Sequence, residues 1–136
     1  MTCEEIKKDL INAESKTLAE EAAKLLIEKK AHGVTMFCVK DHTSITDYYV
    51  NATAKSSTHV NALADELADN LQSRGSAPLR VEGRSGKSWI LVDFGNVIVN
   101  IFDAQTREFY NFDRFLPAEC AVDITPLVKE VDKKYE

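Results

Sequence analysis

The sequence predicts an α/β domain of the α+β kind, a mixed sheet of about five strands with helices packed on it. Three observations carry that reading. Apolar runs rich in β-branched and aromatic residues recur at VTMFCV (34–39), YYVNAT (48–53), WILVDF (89–94) and VIVNIF (97–102). Apolar residues repeat at helical spacing over 17–31 and again over 57–73. Only Gly95-Asn96 separates the last two runs, which is the signature of a hairpin.

Taken in order, CEEIKKDLINA (3–13) suggests a short N-terminal helix, with Ile6, Leu10 and Ala13 at helical spacing. Leu18, Ala22, Leu25 and Leu26 form the apolar stripe of the first main helix, about 17–31, which His32-Gly33 should stop. VTMFCV is apolar throughout and reads as a buried strand. DHTSIT (41–46) is a polar loop, and YYVNAT is the second strand. Ser56 or Ser57 can cap the next helix, whose stripe is Val60, Leu63, Ala64, Leu67 and Leu71 and whose stop is Gly75. PLRVE (78–82) is a short strand and GRSGKS (83–88) a turn. TREFYNFDRFL (106–116) reads as a turn or short helix that brings aromatic rings back onto the sheet. A last helix is expected at about 125–134, beyond Pro117.

The hairpin fixes two faces. With a two-residue turn, Phe94 faces Val97 and Trp89 faces Phe102. One face then holds Ile90, Val92, Phe94, Val97, Val99 and Ile101, and must meet helices. The other holds Trp89, Leu91, Asp93, Ile98, Asn100 and Phe102, and is either covered as well or left in part for a partner.

The 136 residues fit one domain, with apolar residues at 44% and charged residues at 29%. The net charge of −5 is spread along the chain, so no basic footprint for gripping nucleic acid is visible and no base-specific binding is expected. Cys3, Cys38 and Cys120 are odd in number and lack metal-ligand spacing, which suits a reducing, cytoplasmic setting. MTCEEIKKDL has no apolar signal core, and no run approaches the ~18 residues of a membrane span.

The chemistry sought along the chain is not found. GRSGKS lacks the first glycine of a phosphate-binding loop, since Val81 occupies that position, and a strand follows it rather than a helix. Asn51-Ala52-Thr53 matches a glycosylation acceptor but sits in a predicted strand. His32, His42 and His59 are scattered over two loops and a helix start, which argues against a metal site. Asp47, Glu82, Asp93 and Asp103 lie at strand ends without the close carboxylate pair that usually holds Mg²⁺. No catalytic residue, metal or cofactor is therefore assigned. Trp89, the single tryptophan, is either core or interface anchor.

ITDYYVNATAKSSTHVNALADELADNL (45–71), VEG (81–83) and SWILVDFGNVIVNIFDAQTREFYNFDRF (88–115) together resemble the ribosomal silencing factor family, also called the Iojap family. With the first helix and strand the similarity covers about 17–116, leaving 1–16 as an N-terminal extension and 117–136 as a C-terminal tail. The resemblance implies a fold related to nucleotidyltransferases, without that catalysis. It implies binding to large-subunit ribosomal protein fourteen and a steric block to small-subunit joining, hence repression of translation. Organellar relatives act in large-subunit assembly, and members often self-associate, so a homodimer is expected for the free chain. Carried onto this sequence, the ribosome-facing positions are Trp89, Asp93, Phe94, Gly95 and Asn96. Glu82, Asn100 and Tyr110 occupy motif positions that are possible structural sites. Two departures stand out: Asn100 replaces the usual His, and Phe115-Leu116 replaces the usual Leu-Trp. An asparagine cannot titrate, so its expected role is packing or one hydrogen bond.

Overall fold

A computed structural model of the chain describes residues 10–86 and 88–134. Most of the expected helix at 3–13 lies outside these residues, and residues 10–13 form a turn with Asn12 at a φ of 60°. The first helix, α1, is Ser15–Glu28, shorter at its C-terminus than the periodicity suggests. Lys30 takes a φ of 74°, and the Ala31 N–H turns back to the Leu26 carbonyl. The chain thus reverses before His32-Gly33, and those two residues open the strand β1 (His32–Cys38). An irregularity in pairing between His32 and Thr35 accompanies this early start.

β2 is Tyr48–Ala54 and α2 is Ser57–Ser73. The Ser56 hydroxyl accepts the His59 N–H at 3.1 Å, the expected N-cap. β3 (Arg80–Glu82), β4 (Trp89–Asp93) and β5 (Val97–Asp103) complete the sheet. A seven-residue helix, α3 (Ala104–Tyr110), follows directly, with the Asp103 carboxylate accepting the Thr106 N–H at 2.8 Å. Two 3-10 turns, Phe112–Phe115 and Ala118–Cys120, lead to α4 (Thr125–Lys134).

The sheet order is β1-β2-β5-β4-β3, with β2 and β5 parallel and every other pair antiparallel. The hairpin register is the one its turn requires: Trp89 pairs with Phe102, and the Phe94 N–H donates to the Val97 carbonyl at 2.9 Å. One face carries the main core. Ile90, Val92, Val97, Val99 and Ile101 are buried there against Leu18, Ala22 and Leu26 of α1 and Val60, Leu63 and Leu67 of α2. Burial of about 1.5–3 kcal/mol per large aliphatic side chain makes this layer the main source of stability.

The tail is tied to this body. Ala121 bridges Phe37 on the edge strand β1, and Val122, Ile124 and Leu127 pack on the main core. An ion-pair cluster, buried at Glu21, half-buried at Arg74 and open to solvent at Glu130, joins three helices: Glu21 accepts from Arg74 at 2.6 Å and from Lys24 at 2.8 Å, and Lys24 also reaches Glu130. Burial pushes the Glu21 carboxyl up, but the hydrogen bonds from Lys24 and Arg74 outweigh it and hold the group below its ordinary value.

Candidate functional site

The second face of the sheet is only partly covered. α3 and the turn Phe112–Phe115 close over Asn100 and Phe102, which are buried, while Trp89, Leu91 and Asp93 stay half-exposed. The face is thus covered over one part and open over another.

Trp89 sits at the boundary. Its indole packs on Phe102 with ring centres 4.8 Å apart, on Tyr110 at 5.3 Å and on Phe112 at 6.2 Å. Beyond it two aromatic side chains turn toward solvent, Tyr110 at 49% and Phe109 at 79% exposed, and Phe115 in the following turn is 69% exposed. Phe109 and Tyr110 meet edge to face at 4.9 Å, and the Arg114 guanidinium lies 5.4 Å from the Phe115 ring centre. Exposed rings beside a half-buried tryptophan, here Tyr110 and Phe109, are the kind of surface that partners occupy.

The other predicted positions fall into different surroundings. Asp93 holds the hairpin tip: its carboxylate accepts the Gly95 N–H at 2.7 Å and Arg80 Nε at 3.0 Å. Gly95 has a φ of 94°, and an added Cβ would come within 3.2 Å of Leu79 Cδ1. The Asn96 carbonyl accepts the N–H groups of Asp47 and Tyr48, both at 3.2 Å, so the tip is fastened to the start of β2. Glu82 is exposed and pairs with Arg80 at 2.7 Å.

Phe94, expected at the ribosome-facing surface, is buried. Its side chain is 8% exposed and belongs to the main core, on the side opposite Trp89. The alternation that puts it with Ile90 and Val92 already places it there.

Asn100, expected to serve packing or one hydrogen bond, makes two with its amide. It is 1% exposed, accepts the Trp89 indole N–H at 3.0 Å and donates to Asn51 Oδ1 at 3.0 Å. Asn51 donates in turn to Asp113 Oδ1 at 2.9 Å. Asp113 Oδ2 accepts from Thr35 at 2.9 Å and from Arg107 at 2.8 Å. Arg107 also donates to the Gly33 carbonyl and to Thr53 Oγ1. Asn51, Thr35, Arg107 and Asp113 are absent from the sequence-derived set. Asn51 did carry a signal, a polar residue inside an otherwise apolar strand, which demands a buried partner; Arg107 and Asp113 lie outside the strands, in α3 and the turn after it, and carried none.

Among the described residues, no three His, Cys, Asp or Glu side chains gather as a metal site. His32 belongs to β1 rather than to a loop. The His59 ring accepts the Lys55 N–H at 2.9 Å, which leaves its Nε2–H to donate to the Lys29 carbonyl at 3.1 Å. Asp47 and Asp103 lie at opposite ends of the parallel pair β2 and β5. Residues 84–86 form a turn, and the next element of the chain is the strand β4 from Trp89, not a helix. No helix among the described residues is long and apolar enough to cross a membrane.

A mixed five-stranded α+β domain, with α1 and α2 on one face and α3 with exposed aromatic rings on the other, defines the class. The chain belongs to the ribosomal silencing factor family: residues 12–136 match the family described as "Ribosomal silencing factor during starvation". It is 38% identical over 72 residues to the ribosomal silencing factor RsfS of Zymomonas mobilis, covering 53% of this chain and only about half, 54%, of that relative. It is 31% identical over 97 residues to RsfS of Halalkalibacterium halodurans, covering 71% of this chain and 83% of that one. A crystal structure of a Chromobacterium violaceum protein superposes with a TM-score of 0.73 at 25% identity, covering 76% of this chain and 86% of the other.

Proposed function

We propose that this chain binds the large ribosomal subunit through its ribosomal protein fourteen and hinders joining of the small subunit by occupying space. The observation that carries the reading is the exposed aromatic pair Phe109 and Tyr110 beside Trp89, in a chain of this family. Large rings held on a rigid element contribute much binding energy for little ordering cost. Steric exclusion needs no catalysis, and the reading assigns none, nor any cofactor or metal. The setting proposed is the cytoplasm. The hairpin tip around Asp93, Gly95 and Asn96 is proposed as the polar flank of the contact.

The test is direct binding of the purified chain to purified ribosomal protein fourteen, measured by calorimetry. A saturable complex is expected, and the Phe109→Ser, Tyr110→Ser double variant should keep its fold and bind at least tenfold more weakly, about 1.4 kcal/mol. Unchanged binding by the folded double variant would move the contact elsewhere.

A further inference from the structure

The indole of Trp89 is the end of a hydrogen-bonded relay with a fixed polarity. The Asp113 carboxylate, which already takes Arg107 and Thr35 as donors, accepts from Asn51 as well, so Asn51 must present its amino group to it, as the 2.9 Å bond shows. The Asn51 oxygen is then left facing Asn100, which must offer its own amino group, at 3.0 Å. That leaves the Asn100 oxygen for the indole N–H, a donor only, at 3.0 Å. An acceptor-only group at one end and a donor-only group at the other thus agree on one orientation of both amides. Reversing either amide would set donor against donor or acceptor against acceptor in a buried site.

The acceptor end is itself anchored. Arg107 donates to Asp113, Thr35 and Thr53, and also holds the Gly33 carbonyl. These bonds tie α3 and the Phe112–Phe115 turn to β1 and β2. The elements that carry the exposed rings and the residue that sets the relay's direction are therefore one unit.

We propose that Asp113 and Asn51 are positioning residues for Trp89: acting through Asn100, they hold the indole in the orientation against which the aromatic surface is built. The consequence for ribosome binding rests on the function proposed above, whereas the geometry is read at Trp89 itself.

Trp89 is the only tryptophan, so its indole N–H gives one proton–nitrogen resonance in the labelled full-length chain. In the wild type that proton should exchange slowly with solvent. Asn51→Leu cuts the relay while leaving the Arg107–Asp113 pair in place, and should shift the indole resonance and speed its exchange. Asp113→Asn makes the acceptor end ambiguous, and should shift or double the resonance. Thr35→Val removes one donor to Asp113 without altering the polarity, and should leave the resonance where it is. An unmoved resonance in folded Asn51→Leu overturns the proposal. Where neither relay variant folds, the wild type decides: an indole proton exchanging at the rate of a free one overturns it, and a protected one supports it. Asn51→Leu should also lower large-subunit binding about tenfold, about 1.4 kcal/mol. A shifted indole with unchanged binding would uphold the relay and count against the aromatic surface as the contact.

Discussion

Trp89→Ala is expected to weaken binding to the large ribosomal subunit by about 2 kcal/mol or more, roughly thirtyfold. Two losses combine. The ring supports Tyr110 at the edge of the exposed patch, and its N–H satisfies the buried Asn100 oxygen. Removing it takes contact area from the surface and leaves a buried acceptor unpaired, at about 1–3 kcal/mol of stability. Thermal melting must therefore accompany the co-sedimentation measurement. Trp89→Phe separates the effects, because it keeps a ring and drops only the donor. Tyr110→Ser changes an exposed side chain and should lower binding with little change in melting. Asp69→Ala, on the exposed side of α2, should alter neither. Binding by folded Trp89→Ala at the wild-type level would remove Trp89 from the interface.

Phe94→Ala should behave in the opposite way. Its ring is buried in the main core beside the helix-facing side chains of β4 and β5. Deleting a buried phenylalanine costs about 3 kcal/mol or more, through lost transfer energy and the cavity left behind. For a domain of this size the thermal midpoint should fall by roughly 10 °C. Urea titration checks the stability, and binding measured well below the midpoint should be close to wild type. Intact stability with lost binding would mean that Phe94 faces the partner after all.

The contrast between these two aromatic residues shows what was legible in the chain. Gly95-Asn96 dictates a two-residue turn, the turn dictates the register, and the register separates Trp89 from Phe94 by face. Helices α2 and α4 have the expected boundaries because their signals are local, a serine cap at Ser56 and a glycine stop at Gly75 for the former. The end of α1 was less legible. Lys30 adopts a left-handed conformation that its residue type does not advertise, so the helix stops early and β1 starts early. The relay was legible only at its two strand positions. Asn51 in YYVNAT and Asn100 in VIVNIF are each conspicuous among apolar neighbours. Their pairing spans 49 residues, and the link from Asn51 to Asp113 spans 62. Contacts that distant in sequence are set by strand order, which the spacing of residues in a single chain does not reveal.

The measurement that bears most directly on the central claim is subunit joining. Purified small and large subunits are mixed with and without the wild-type protein and separated on a sucrose gradient. The protein should sediment with the large subunit, and the peak of joined ribosomes should fall as its concentration rises. Folded Trp89→Ala should do neither well. If the wild-type protein sediments with the large subunit while joining proceeds at the same rate and to the same extent, steric silencing is contradicted and a role in large-subunit assembly is the better account.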